Sequence, residues 1–421
     1  MDSKPLSIKA NMLWNSAGSL VYLACQWLTT ILVVRLSSGY DAAGLLALAM
    51  SIVGIFGTFA NYKMGTYQIS DIRHENTVGE YLGFRCITLA LACAACLVYA
   101  AFTCPDYAIV TVGLFFVYKG VGLLIDILHG LDQQNRRMDY IGKSFIAQGV
   151  LSLLAFAIVF YFSADLNAAI IAMTVAALGV LVFFDTPRAA QFEALKVHIS
   201  GKKAFFFFKT SLPAVLAALA ASAIFAIPKQ YLCSVMGDAS LGIYASVAAP
   251  ALVIQMGAVY LYGPLLDIFP QLFFDGEIKK FRTLMLKTVG GILVVTLVCS
   301  MVLELIGSWA LQLLFGMSIA PYIYLLQPII FSTALTAYLW FFGDILIALR
   351  NFKANFIGNV VAFVLVIPFS FICVNAWGMN GVSFAGALAC LCGVGCLLVS
   401  LIAMVKAPRE KTRTFVEDDK E

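Results

Sequence analysis

Long apolar stretches, broken only by short polar or Pro/Gly-rich clusters, follow one another from residue 10 to residue 404. A helix needs ~20 largely apolar residues to cross ~30 Å of hydrocarbon. The breaks predict twelve such helices, at 10–34, 42–62, 82–103, 108–129, 141–162, 166–185, 205–228, 241–263, 284–305, 321–349, 354–374 and 381–404. The first stretch follows Lys4 and Lys9 but is too long for a secretory leader and has no small-residue cleavage site, so it reads as a span. Outer loops such as 104–107 and 163–165 are tiny. The longest internal linkers are 186–204 and 264–283. The second alternates apolar residues (Leu265, Phe269, Leu272, Phe273) with a basic end (Lys279, Lys280, Arg282), and is expected to lie along the membrane surface. With no room for a soluble catalytic domain, the function belongs inside the membrane.

Composition agrees with this. Apolar residues make up 62% of the chain, charged residues 12%, and the mean hydropathy is +0.94. A soluble domain is about half apolar and a quarter charged. The net charge of +4 would suggest nucleic acid in a soluble protein. Here it reflects loop asymmetry, and no nucleic-acid partner is expected. With the N-terminus inside, 22 of the 27 Lys and Arg fall in cytoplasmic segments or in the first turn of a span at that side, as the positive-inside rule requires, and both termini are expected to be cytoplasmic. Most of the eleven cysteines lie within apolar runs and read as small packing residues. His74, His129 and His198 are scattered without metal-ligand spacing, so neither a metal nor another cofactor is expected.

The chain also repeats itself. Asp126-Ile127-Leu128 in the fourth span matches Asp344-Ile345-Leu346 in the tenth, and Ile141-Gly142 and Ile357-Gly358 follow, each opening the next span. Gly39, Gly44 and Ala47 match Gly237, Gly242 and Ala245 at equal internal spacing. Both matches imply a shift of six spans. Six is even, so the halves share one orientation, related by an axis along the membrane normal. The expected architecture is an all-α polytopic membrane protein with two six-helix bundles around a central cavity. Residues 1–204 make the first bundle and its linker, 205–404 the second, and 405–421 a charged cytoplasmic tail.

Ionisable residues inside a span cost a few kcal/mol each and usually face a cavity. Lys119, Gly122, Asp126 and His129 follow a helical spacing of 0, 3, 7, 10, and Thr333, Thr336, Trp340 and Asp344 one of 0, 3, 7, 11, each a single face. Arg35 and Lys229 end spans 1 and 7, where they either snorkel to headgroups or face the cavity. Arg85 opens span 3 with the same two alternatives, and Glu304 lies near the outer end of span 9. These cations outnumber the anions at that depth, which suits an anionic substrate such as a lipid pyrophosphate. Arg35, Arg85, Lys119 and Lys229 are the candidate substrate-binding residues, and Asp126 and Asp344 the candidates for gating or ion coupling. Pro213 and Pro228 predict a broken seventh span, acting as a bending element or as a static kink.

Arg35-Leu36-Ser37-Ser38-Gly39, with Gly44 and Ala47 to Ala49, resembles the joint between the first two spans of polysaccharide exporters. Asn11, Trp14-Asn15, Ser70-Asp71, Tyr81 to Arg85, and Gln133 to Tyr140 are similar to bacterial lipopolysaccharide or capsule repeat-unit flippases of the Wzx type. Those lie in the multidrug/oligosaccharidyl-lipid/polysaccharide exporter (MOP) superfamily. The resemblance implies a twelve-helix, two-lobed exporter of the bacterial inner membrane. Its substrate would be an undecaprenyl-pyrophosphate-linked oligosaccharide, moved to the outer leaflet by alternating access, with cavity cations, Arg35 and Lys119 first, on the pyrophosphate. A glycan polymerase of the same pathway is the partner expected besides the bilayer. One departure is that the glycine register puts Cys233 where a repeat partner of Arg35 would stand, which sets Lys229 apart.

No Gly-x4-Gly-Lys-Ser/Thr loop occurs, so energy is expected from an ion gradient or substrate flux. The rivals are an exporter of drugs or small amphiphiles on the same fold, and an enzyme. Glycan polymerases of such pathways usually carry a large outer loop, missing here, and His129 beside Asp126 is the one candidate pair for acyl transfer. A non-enzymatic transporter is therefore expected.

Overall fold

The computed structural model describes residues 5–71, 75–266 and 268–406. Among these residues it is almost wholly helical and holds no strand. The first seven helices are α1 (Ile8–Leu36), α2 (Asp41–Asn61), α3 (Met64–Ser70), α4 (Val78–Thr103), α5 (Asp106–Gln134), α6 (Met138–Ser163) and α7 (Leu166–Val180). A π turn, Leu181–Asp185, joins α7 to the short α8 (Thr186–Ala189). There follow α9 (Gly201–Ala248), α10 (Leu252–Tyr262), α11 (Ile268–Phe274), α12 (Ile278–Phe315), α13 (Leu326–Ala348), α14 (Phe352–Trp377) and α15 (Met379–Lys406).

Eleven continuous helical runs among the described residues are long and apolar enough to cross a membrane. One of them, Gly201–Tyr262, is 62 residues long and contains a single non-helical backbone position, Gly237, at φ 82°, ψ 173°. That region is essentially closed to any residue with a Cβ, so glycine there divides the run into two spans and brings the total to twelve. The chain is thus an all-α multi-pass membrane protein. Pro213 and Pro228 do not break their helix. α9 keeps helical dihedrals through both, and the backbone turns nine residues after Pro228, where a glycine permits it.

Local sequence explains where helices begin. Thr77 Oγ1 accepts from the Glu80 amide and Glu80 returns a carboxylate to the Thr77 amide, a capping box that starts α4. Asp165 caps α7 and Asn351 caps α14. In the 264–283 linker, α11 turns Phe269 and Phe273 inward against Phe281 and Phe341, while Ile268 and Phe274 stay exposed. One expectation about extent needs correction. Span 9 is longer than its apolar stretch, since α12 has 38 residues, about 57 Å at 1.5 Å per residue.

The chain forms two compact units. Unit 1 comprises Met1–Ser222 with Met236–Ser246, and unit 2 comprises Ala223–Val235 with Val247–Glu421. In unit 1, α1 and α6 meet through glycine, and a Cβ on Gly142 would overlap the Trp14 carbonyl. Without a hydrophobic drive between helices in lipid, such close backbone approach supplies the packing. An aromatic cluster of Tyr62, Tyr81, Phe84, Phe207 and Phe208 joins α2, α4 and the start of α9, with ring centroids 4.8 to 5.8 Å apart. In unit 2 the corresponding core is Tyr262, Phe269, Phe281, Phe341 and Phe342, with α14 and α15 drawn together at Gly358, Gly381 and Gly393.

The turn after α3 is tied by one carboxylate. Asp71 accepts from the amides of Glu75 and Asn76 (both 3.0 Å), the Asn76 side chain (2.9 Å) and the Tyr81 hydroxyl (2.9 Å). Burial acts to raise the Asp71 carboxyl, but these donors outweigh it and hold the group below its ordinary value of about 3.9. A lowered folded-state value means that the turn's stabilisation is complete above the unfolded value and is lost as pH falls through the folded one. Protection of the Glu75 and Asn76 amides from hydrogen exchange, measured against Asp71→Asn protein, is therefore expected to persist from neutral pH to about 4 and to be lost progressively as pH falls further, through the lowered folded value. Equal protection in the variant at neutral pH would refute the assignment.

Candidate functional site

The charged residues of unit 1 converge where α2 ends. The last four carbonyls of a helix have no partner within it. α2 closes on Tyr62 and Lys63, both in the left-handed region at φ 47° and 55°, and this leaves the Ala60 carbonyl available. Arg85, from the second turn of α4, donates through Nη1 to Ala60 O and Asn61 Oδ1, both at 3.0 Å, and through Nη2 to Asp126 Oδ2 at 3.3 Å. Thr88 Oγ1 donates to the same Ala60 carbonyl at 2.8 Å. The guanidinium is fully buried, whereas the Asp126 side chain is 48% exposed. Arg85 does not snorkel. It ties three helices together and neutralises Asp126.

Asp126 continues along α5 into an open face. Lys119 is exposed and makes no hydrogen bond or ion pair among the described residues, and nothing lies within 4 Å of where a Cβ on Gly122 would stand. α2, which packs against α5 and runs in the same direction, repeats the pattern. Gly54 and Gly57 also face open space, about two turns and one turn before Asn61 respectively. Because charged side chains at this depth avoid lipid, a face carrying Lys119 and Asp126 borders hydrated space. Lys119 lies seven residues, roughly 10 Å, from Asp126 along the helix axis.

His129 leaves this face. The helical spacing places it in line with Asp126, yet it is buried against Asp185 and Phe145, which also removes the His129/Asp126 pair considered for acyl transfer. Arg35 is exposed in the last turn of α1, where a cation complements the helix dipole. Lys229, in unit 2, is half-buried and has no hydrogen bond or ion pair among the described residues. Asp344, also in unit 2, accepts from the Tyr262 hydroxyl at 2.7 Å. The two repeat-related carboxylates are therefore held differently, Asp126 by a buried guanidinium and Asp344 by a phenol. Glu304 accepts from Gln327, which in turn accepts from Ser300.

Of the residues singled out from sequence, the structure joins Arg85 with Asp126 and lines up Lys119 with Asp126. Asn61, Tyr62 and Tyr262 were not singled out. The polar run Asn61-Tyr62-Lys63 at the end of an apolar stretch was the available signal, and it reads equally well as an ordinary loop.

This helical membrane fold of two compact units is also found among solved membrane proteins. The chain shares that fold with an inward-facing multidrug-resistance MATE-family transporter (TM-score 0.72, 12% identity, covering 94% of this chain and 99% of that one). It shares it equally with the lipid II flippase MurJ (TM-score 0.70, 12% identity, 94% and 89%). In sequence it is similar to the capsular polysaccharide biosynthesis protein CapF of Staphylococcus aureus, with 22% identity over 370 residues, 86% of this chain and 91% of that protein. No protein-family model matches the chain.

Proposed function

We propose that this protein is a flippase of the bacterial inner membrane, both termini cytoplasmic, carrying an undecaprenyl-pyrophosphate-linked oligosaccharide to the outer leaflet for surface polysaccharide synthesis. The observation that carries the reading is the open face of α5. It presents Lys119, a cation with no counter-ion among the described residues, beside an Arg85–Asp126 pair whose charges cancel. A lysine held this way suits a pyrophosphate headgroup, which arrives with the negative charge the face lacks. The glycines on both open faces leave width for a bulky headgroup. The capsular relative and the fold shared with a lipid II flippase support a lipid-linked glycan over a drug, and transport over enzymatic chemistry. Arg35 and Lys229 are further contacts for the same anion in this reading, Arg85 is a positioning residue for Asp126, and Asp126 and Asp344 act in gating or ion coupling.

Changing Lys119 to Ala is expected to lower surface glycan about tenfold or more, the equivalent of ~1.4 kcal/mol of lost headgroup binding, at unchanged membrane abundance. Lipid-linked repeat units should accumulate in the inner leaflet, and Lys119→Arg should restore part of the export. Wild-type surface glycan in Lys119→Ala cells, or efflux of a dye with surface glycan intact on deletion of the protein, would overturn the reading.

A further inference from the structure

A second group of buried polar side chains in unit 1 has no part in the site above. It lies where α5 ends, α6 begins and the π turn passes into α8. Asp132 is 1% exposed, and neither of its carboxylate oxygens has a hydrogen-bond donor among the described residues. Asp185, equally buried, accepts from Ser144 Oγ at 2.9 Å through Oδ2. Its Oδ1 stands 3.4 Å from His129 Nε2 without hydrogen-bond geometry, so both of those atoms are also unsatisfied. Gln148 Nε2 donates to Ser144 Oγ, which fixes the serine hydroxyl on Asp185.

The backbone explains why Asp185 points inward. Pro187 has no amide proton, and in a regular helix its ring would clash with the Phe183 carbonyl. The chain widens into the π turn over Leu181–Asp185 immediately before it. Arg188 Nη1 then satisfies the Phe184 carbonyl at 2.8 Å. Single π turns recur at functional sites, because they re-aim one side chain at little cost to the helix.

The surrounding charges nearly balance. Asp139 and Asp185 act on Asp132 from the negative side, Arg137 and Arg188 from the positive. Arg137 and Lys143 are both paired with Asp139, at 2.8 and 3.1 Å, and the two guanidinium groups stack on Tyr140. From α1 the polar group is Asn11, whose Oδ1 accepts from the Met138 amide, and from α3 it is Gln68, whose Nε2 donates to the Ile127 carbonyl.

An ionised carboxylate this buried, with no donor, costs several kcal/mol, and a proton removes the cost. A hard metal cation needs about six oxygen ligands. Three carboxylate oxygens are unclaimed here, and two guanidinium groups stand near. We infer that Asp132, with the Asp185–His129 pair beside it, is a proton-binding site. Asp132 carries the proton while the junction is dry. When water reaches the junction the carboxylic O–H bond breaks, the proton passes to water, and the carboxylate remains. The site stands independently of the flippase reading; its use to drive transport rests on that reading.

The test is infrared difference spectroscopy of the purified full-length protein in lipid nanodiscs, titrated over about pH 5 to 8. The wild type should show a protonated-carboxyl C=O band that declines as pH rises. Asp132→Asn should remove at least half of it, and Asp106→Asn, an exposed control, should leave it unchanged. His129→Gln should move the midpoint by about one pH unit, a factor of ten in proton affinity, and it serves as the second variant if Asp132→Asn does not fold. No such band in the wild type, or the same band and midpoint in both Asp132→Asn and His129→Gln, would overturn the site. If the band behaves as expected but Asp132→Asn exports glycan normally, the site stands and its role in driving transport falls.

Discussion

Gly44→Leu is expected to abolish function by preventing the first turn of α2 from packing. A Cβ at Gly44 would overlap the backbone carbonyl of Asp238, and one at Gly242 would overlap the carbonyl of Tyr40 while coming 2.8 Å from the Gly44 amide nitrogen. Backbone is pressed against backbone, so no flexible side chain can yield. The contact is fixed from a third side by the Tyr107 hydroxyl, which donates to Asp238 Oδ2 at 2.7 Å. Overpacking of an ordinary core costs about 1–3 kcal/mol, and this case belongs at or above the upper end. The thermal midpoint in detergent should fall by several degrees for Gly44→Ala and further for Gly44→Leu. Gly54→Ala and Gly57→Ala, whose added methyls meet nothing, should stay within about 0.5 kcal/mol of wild type. A wild-type midpoint and normal export in Gly44→Leu would contradict the packing described for unit 1.

The second large effect is an asymmetry between the partners of one ion pair. Asp126→Ala leaves the fully buried Arg85 with only neutral acceptors, Ala60 O and Asn61 Oδ1, and an uncompensated buried charge typically costs about 3–5 kcal/mol. Arg85→Met leaves Asp126 unpaired but half exposed, where water solvates it and the penalty is discounted. Asp126→Ala should therefore destabilise more than Arg85→Met, and the Arg85→Met/Asp126→Ala double variant should recover most of the Asp126→Ala loss. A double-mutant cycle read by thermal unfolding in detergent measures this directly. Equal losses in the two single variants, or additive losses in the double, would contradict a buried guanidinium that depends on its carboxylate.

The sequence makes the spans legible because each must be apolar over a fixed length, whatever it packs against. Facing residues were legible only within one helix. Lys119, Gly122 and Asp126 share a face because three and seven residues are nearly whole turns of one cylinder. Arg85 and Asp126 are 41 residues apart, and no periodicity connects them. Two readings failed for physical reasons. The helix continued through Pro213 and Pro228, and turned instead at a glycine free to adopt positive φ. His129 kept its helical spacing, but a π turn in another helix delivered Asp185 beside it, so its surroundings were set by a distant proline.

The helix α9 enters unit 1 at Gly201, leaves it after Ser222 and returns to it at Met236. During synthesis this delays the first unit. Phe207 and Phe208, which cover Tyr62, Tyr81 and Phe84, emerge only after six spans are already in the bilayer, and the glycine that seats against Tyr40 emerges later still. A nascent chain stopped at the 186–204 linker therefore holds an open aromatic seam and an unoccupied backbone groove. Assembly of the first unit is thus complete only once a segment from the middle of the chain, ending at residue 246, has been made.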